Sequence, residues 1–274
     1  MANDTKAFFV DLDGTFLDDA KQIPEENRLA VNELLKRGHK TIITTGRPLP
    51  SAIRQAVKLG LTGQGCYLIA YNGGVLYDLY ENKTIYEKTV PLSFVKPIFD
   101  EANRRRIHIQ AYDHEAVLVE PRCDNDIVSY YCTRIEMPWH VIPSVSGLTE
   151  EPAKLLIIDR TGRESLCAMK DWIRERFDAD LDTFFSSIEF LEVVAKNLNK
   201  GNGLIQMADL LHIDIRNTVA LGDEENDISM IRTAGIGCAM ANGTKDARAA
   251  ADYVTKLDNN HGGAAEVIQK FILN

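Results

Sequence analysis

The chain has 274 residues, a length that suits two domains better than one or three. With 45% hydrophobic and 26% charged residues, it falls outside the disordered, collagenous and low-complexity classes. Forty acidic residues against 31 basic ones give a net charge of −9, which argues against nucleic acid as a partner.

Residues 6–10 form a short apolar, aromatic and β-branched run ending in polar residues, which reads as a buried parallel strand followed by a functional loop. Pro24 opens a helix whose apolar side carries Leu29, Val31, Leu34 and Leu35, and Gly38 stops it. A strand at 41–45, a helix at 49–59 and a strand at 67–70 follow, and Asn72-Gly73-Gly74 marks a turn into a hairpin. Between 85 and 188 the pattern changes to helices interleaved with short runs at 107–111, 116–119 and 154–158. Strands at 190–194, 218–221, 235–239 and 252–254 then resume the alternation, and a helix at 264–273 closes the chain. The expected fold class is α/β. Residues 1–84 and 189–274 form a doubly wound, Rossmann-like parallel sheet, and residues 85–188 form an inserted α+β domain. No apolar run reaches the ~18 residues of a membrane span. Residues 1–6 lack a signal-peptide pattern, so a cytoplasmic protein with no membrane partner is expected. Cys66, Cys123, Cys132, Cys167 and Cys238 are odd in number and never form a C-x-x-C pair, which fits reduced thiols.

Four constellations carry chemistry. Asp11 and Asp13, followed by Gly14-Thr15, sit directly after the first strand, where open α/β sheets bind ligands. Such a pair can bind a divalent cation and divide the roles of nucleophile and acid/base. At Thr44-Thr45-Gly46-Arg47, a hydroxyl, free amides at a helix start and a guanidinium suit a phosphate group, with a helix N-cap as the alternative. Lys200, between Asn199 and Gly201, is either a solvated surface group or a point charge for phosphate. The run Gly222-Asp223-Glu224-Glu225-Asn226-Asp227 either caps a helix or supplies oxygen ligands at the sheet edge that carries Asp11.

In this order, Asp11-x-Asp13-Gly14-Thr15, Thr45-Gly46-Arg47-Pro48, Asn199-Lys200-Gly201 and Gly222-Asp223-x-x-Asn226-Asp227 resemble the haloacid dehalogenase superfamily, in its Cof-type subgroup with an α/β cap. The resemblance spans the chain. It implies that Asp11 attacks phosphorus to form an aspartyl-phosphate, while Asp13 protonates the leaving group and later activates water. It also implies Mg²⁺ held by the Asp11 carboxylate, the Asp13 main-chain carbonyl and Asp223, with Asp227 a further ligand or support. Thr45, Gly46, Lys200 and Asn226 would hold phosphoryl oxygens, with Arg47 contributing. An aspartate at position 13, where related ion-pumping ATPases are expected to carry threonine, favours ester hydrolysis. The implied substrate is a small soluble phosphomonoester, sugar phosphates first, and the implied assembly a monomer or small homo-oligomer. A phosphomutase, or a phosphate-sensing protein without catalysis, shares the motifs. Within the insert, Arg104-Arg105-Arg106 and His108 read as solvent-facing groups near a helix end, with substrate recognition as the alternative, and Tyr130, Tyr131 and Trp139 as core, with a ligand-stacking surface as the alternative.

Overall fold

A computed structural model of the chain describes residues 5–274. The first segment carries β1 (Ala7–Val10), α1 (Glu25–Lys36), β2 (Lys40–Thr44), α2 (Leu49–Lys58), β3 (Cys66–Ala70), β4 (Val75–Asp78) and β5 (Lys83–Glu87). The middle segment carries α3 (Leu92–Arg105), β6 (His108–Tyr112), β7 (Val117–Val119), α4 (Asn125–Ile135), β8 (Trp139–Val141), β9 (Leu155–Ile158), α5 (Arg163–Phe177), β10 (Leu181–Phe185) and β11 (Phe190–Ala195). The last segment carries α6 (Lys200–Leu210), β12 (Thr218–Gly222), α7 (Ile228–Thr233), β13 (Ile236–Ala239), α8 (Lys245–Ala250), β14 (Tyr253–Val254) and α9 (Gly263–Ile268). The final turns, Gln269–Leu273, are π-helical rather than a regular continuation of α9.

Two compact units result. The first comprises residues up to Arg47, then Ala52–Tyr86 and Asn199–Asn274; the second comprises Glu87–Leu198 with the short piece Pro48–Ser51. The first unit holds an eight-stranded sheet in the order β14-β13-β12-β1-β2-β3-β4-β5. From β14 to β3 every pairing is parallel, and β4 returns antiparallel along β3. Strand β1 is apolar at all four positions and wholly buried, as a central parallel strand must be. Phe9, Ile42, Ile69 and Ala220 share one face of the sheet and pack beneath Leu204 and Met207 of α6 and Met230 of α7. Each large side chain buried there contributes about 1.5–3 kcal/mol. The chain runs from β1 to β2 and β3 on one side, and β12 to β14 lie on the other. The strand order therefore reverses beside β1, the place where such sheets bind ligands at their carboxyl ends.

The second unit holds a six-stranded sheet, β10-β11-β9-β6-β7-β8, antiparallel except where β7 meets β8. Ile109, Ala111, Leu155, Ile157, Leu191 and Val193 line one face and pack against α3 and α5. The alternate positions put His108, Gln110, Tyr112 and Glu192 on the other face. Tyr131 of α4 stacks edge-on against Tyr112 and Phe190.

One expected element changes place. The sequence pattern places the run 190–194 in the parallel sheet, but β11 pairs antiparallel with both β10 and β9 in the second sheet. The second unit accordingly extends to Leu198 rather than residue 188. The reason is local: four residues, Ser186 to Glu189, join β10 to β11, a hairpin-length connection. All five cysteines are free thiols. Among the described residues no helix is long and apolar enough to cross a membrane.

Candidate active site

Strand β1 ends at Val10, and the Asp11 amide extends its ladder by one bond, to Leu221 O at 3.0 Å. The chain then folds back sharply, with Phe16 N donating to Asp11 O and Leu17 N to Leu12 O. Gly14 makes this turn possible at φ +83°, and a Cβ there would stand 2.5 Å from Asp223 Oδ2. Asp223, immediately after β12, is thereby pressed against the loop carrying both aspartates. Thr15 Oγ1 donates to Asp223 Oδ1 at 2.5 Å.

Lys200 opens α6, where the Asn199 side chain caps the helix by accepting from Asn202 N. The lysine is fully buried, and its Nζ bonds Asp11 Oδ1 at 2.6 Å and Asp227 Oδ1 at 2.5 Å. The other oxygen of Asp227 accepts from the amides of Asp223 and Glu224, at 3.0 Å each. Asp227 is therefore spent on fixing the loop and the lysine. Helix α6 reaches this position because glycines let it in: a Cβ on Gly201 would meet Ser229 O at 2.6 Å.

Carboxylate oxygens of Asp11, Asp223 and Asp227 lie within 4.8 Å of one another, all three residues buried. Burial pushes Asp11 well above its usual range; Lys200 opposes the shift, and Asp227 and Asp223 add to it. Burial likewise raises Asp223, to about 6, against the Thr15 hydrogen bond. Burial opposes the charge of Lys200, but Asp11 and Asp227 hold it protonated above the ordinary lysine range. One ammonium bonded to two of three clustered carboxylates leaves negative charge uncompensated. Hard oxygen donors with that excess fit a divalent cation such as Mg²⁺.

The Asp13 carboxylate lies outside this cluster. Arg47 grips it in a fork, Nε to Oδ2 and Nη2 to Oδ1 at 2.9 Å each, and Lys21 Nζ reaches Oδ1 at 2.9 Å. Burial would raise its pKa, but Arg47 and Lys21 outweigh burial and hold the carboxyl below the usual value. Thr45 is buried after β2, its hydroxyl accepting from Arg47 N at 3.2 Å. Asn72, left-handed at φ 57°, donates its amide to Thr45 O and accepts from Asn226 Nδ2 at 3.1 Å. Gly46 lies against the same side chain, since a Cβ there would be 3.1 Å from Asn72 Nδ2.

The sequence-expected residues thus form three linked groups: Asp11, Lys200, Asp223 and Asp227; Asp13 with Arg47; and Thr45 and Gly46 with Asn226 through Asn72. Thr15, Lys21 and Asn72 were given no site role from sequence. Thr15 closes the first motif and Asn72 precedes a glycine, which signals a left-handed turn. Nothing in the sequence singles out Lys21.

The description of haloacid dehalogenase-like hydrolases matches residues 8–268. The 5-amino-6-(5-phospho-D-ribitylamino)uracil phosphatase YcsE of Bacillus subtilis is 27% identical, over 98% of this chain and 97% of its own. The crystal structure of TM0651 from Thermotoga maritima superposes with a TM-score of 0.84 at 31% identity, covering 97% of each chain. That of BT4131, a HAD subclass IIB sugar phosphatase, superposes at 0.81 with 25% identity, covering 97% of this chain and 99% of that one. With the four motifs gathered around the end of β1 and the match running almost the length of the chain, this protein belongs to the haloacid dehalogenase-like hydrolases, as a phosphatase of the Cof type.

Proposed function

We propose that the chain is a Mg²⁺-dependent phosphatase that hydrolyses small phosphomonoesters, sugar and polyol phosphates first, through an aspartyl-phosphate at Asp11. The observation that carries this reading is Lys200: a fully buried ammonium joins the nucleophile candidate to Asp227 beside a third carboxylate. The relatives support the substrate class, since one is a sugar phosphatase and another acts on a ribityl phosphate.

Asp11, the Asp13 carbonyl and Asp223 would hold the cation, which supplies positive charge to the phosphoryl oxygens when bound. Asp227 supports the site by positioning Lys200 and the loop amides. Lys200 opposes the burial that raises the Asp11 pKa and so favours its ionised form, and with Oδ1 taken by the ammonium, Oδ2 is the attacking oxygen. As the new bond from Oδ2 to phosphorus forms, the ester P–O bond breaks and the leaving alkoxide takes a proton from Asp13. Water then attacks the aspartyl-phosphate, Asp13 accepts its proton, and Asp11 and inorganic phosphate are released. Thr45, Gly46, Lys200 and Asn226 hold phosphoryl oxygens, with Asn72 fixing Asn226. Arg47 contributes once the incoming phosphoryl group draws it away from Asp13. The cytoplasm is the compartment proposed, and a monomer or small homo-oligomer the assembly.

The test is phosphate release from a panel of hexose and polyol phosphates with Mg²⁺ or chelator. Wild type releases phosphate only with Mg²⁺. Asp11→Asn loses activity by on the order of 10⁴-fold or more with its melting temperature nearly unchanged. Activity surviving that change rejects the nucleophile assignment, and bisphosphate-dependent turnover without release identifies a mutase.

A further inference from the structure

In the turn from Asp11 to Leu17, the carbonyls of Asp11 and Leu12 accept from the turn's own amides, Phe16 N and Leu17 N. Three other carbonyls are taken by asparagine side chains from distant parts of the first unit. Asn27 of α1 donates Nδ2 to Phe16 O at 3.3 Å, Asn242 to Gly14 O at 2.8 Å, and Asn259 to Leu17 O at 3.1 Å. None of these donors goes to the Asp13 carbonyl, the one assigned above to the cation. Water satisfies an accessible turn carbonyl nearly as well as a protein donor does. An amide recruited from 228 positions along the chain, as at Gly14, therefore fixes geometry as well as satisfying the oxygen.

Asn242 is the one of the three that ties this turn to the other acidic loop. Strands β1, β12 and β13 are parallel neighbours, so the loop after β13 leaves the sheet at the edge that carries Asp11 and Asp223. That loop is fastened to the backbone around Asp223: Met240 N donates to Gly222 O at 3.0 Å, and Thr244 N to Asp223 O at 2.8 Å. From this platform the Asn242 side chain reaches Gly14 O, while its own Oδ1 accepts from Asn259 N at 3.1 Å. The residue next to Asp13 is thus tied to the backbone of Asp223. Asn27 and Asn259 are buried, whereas Asn242 is exposed, so replacing it leaves the core intact.

We infer that Asn242 is a positioning residue of the reaction proposed above, on which this inference rests: through Gly14 it aims the Asp13 carboxyl at the leaving group, and so serves proton transfer. Gly14, at φ +83°, is the pivot of the turn, and holding its carbonyl sets how Asp13 leaves that pivot. Asp11 and Asp223 have anchors of their own, Asp11 N on Leu221 O and Asp223 N on Asp227 Oδ2, at 3.0 Å each. Asp13 has the fork from Arg47, but in that reaction Arg47 turns to the phosphoryl group. The backbone must then keep the carboxyl in place while the proton moves, and a misplacement of about 1 Å costs on the order of 100-fold in rate.

The test compares Asn242→Ala and Asn242→Ser with wild type in the full chain, both variants having a side chain too short to reach Gly14 O. Two esters are used at saturating Mg²⁺: the hexose or polyol phosphate that wild type hydrolyses fastest, whose leaving group needs an acid, and p-nitrophenyl phosphate, whose leaving group does not. For the first, kcat/KM falls about ten- to a hundred-fold in both variants; for the second it stays within about two-fold. In the metal-free chain the amides of Phe16 and Leu17 exchange hydrogen faster in the variants, at a melting temperature close to that of wild type. An equal loss for both esters, a loss that more Mg²⁺ removes, or unchanged exchange at Phe16 and Leu17 overturns the inference. Wild type inactive on both esters would instead overturn the proposed function, and the inference with it.

Discussion

In the proposed reaction Asp13 gives up a proton to the leaving group and later takes one from water, yet two cations hold it ionised in the free site. The second task suits that state; the first requires the cations to loosen. In that reaction Arg47 has a phosphoryl group to turn to, but the Lys21 side chain, on a turn tied by Asp18, has only Asp13 as a partner among the described residues. Lys21→Met should therefore raise the Asp13 pKa and move the alkaline limb of kcat/KM upward for alkyl phosphates. The profile for p-nitrophenyl phosphate, whose leaving group needs no acid, should stay in place. Equal movement of both profiles would show that Asp13 is not the proton source. Asp223 makes a complementary case. Burial pushes it up to about 6, above the ordinary aspartate value of 3.8, so the folded chain without metal binds the proton more tightly than the unfolded chain does. That stability is present in acid and is lost as pH rises from about 4 through about 6, at up to about 3 kcal/mol. Asp223→Asn should thus melt higher than wild type at pH 8 in chelator and gain nothing from Mg²⁺, whereas wild type gains increasingly above pH 6. Thermal melts across pH with and without Mg²⁺ check this. The aspartates and Gly14 were legible in sequence because their motifs follow strands of the parallel sheet, where ligands bind, whereas Lys200, which follows β11 of the other sheet, was legible only in the company of those motifs. Lys21 and Asn72 were not, because their roles depend on loops brought together only by the tertiary fold.

At the scale of elements, the parallel strands were readable because burial on both faces demands unbroken apolar runs such as AFFV in β1. The misplaced strand, β11, obeys the same composition rule and was read by it. FLEVVA is buried at every position, but its sheet is set by the hairpin with β10, and composition does not specify a partner. Glu192 was the available clue, since an acid inside a buried strand requires a buried cation. That cation is Lys154, directly before β9: its Nζ lies 2.8 Å from Glu192 Oε2, with side chains 3% and 6% exposed. Ser186 Oγ bonds the other oxygen at 2.7 Å, and the ammonium stands 5.0 Å from the Tyr112 ring centre. Replacing one partner leaves the other buried and charged, so Glu192→Leu should cost about 3–5 kcal/mol in urea unfolding. Adding Lys154→Met should recover most of that loss. A double variant whose cost is the sum of the singles would show that the two residues act separately and that the pair does not organise this sheet.

The two units differ in how their chains are laid out, and that difference decides how the molecule unfolds. The first is assembled from distant segments: β1 pairs with β2 nearby and with β12 across the whole insert. The second is continuous from Glu87 to Leu198 apart from Pro48–Ser51, and it has its own apolar core between one sheet face and the helices α3 and α5. Near its ends, Lys88 Nζ donates to Lys196 O at 2.6 Å, so the entering and leaving strands of chain are fastened together. Once folded, the insert therefore acts as a short closed loop in the first unit, and chain-closure entropy, which grows by only about 0.6 kcal/mol per doubling of loop length, does not bar β12 from reaching β1. Every member of the acidic cluster belongs to the first unit. Calorimetry of the full chain should accordingly depart from two-state behaviour, with Mg²⁺ raising one transition and leaving the other where it is. A fragment of residues 87–198 should melt at the Mg²⁺-insensitive transition. A chain in which a short Gly/Ser linker replaces those residues should melt once and keep the Mg²⁺ response. A single transition that Mg²⁺ moves as a whole would mean that the two units unfold as one cooperative block, despite their separate cores.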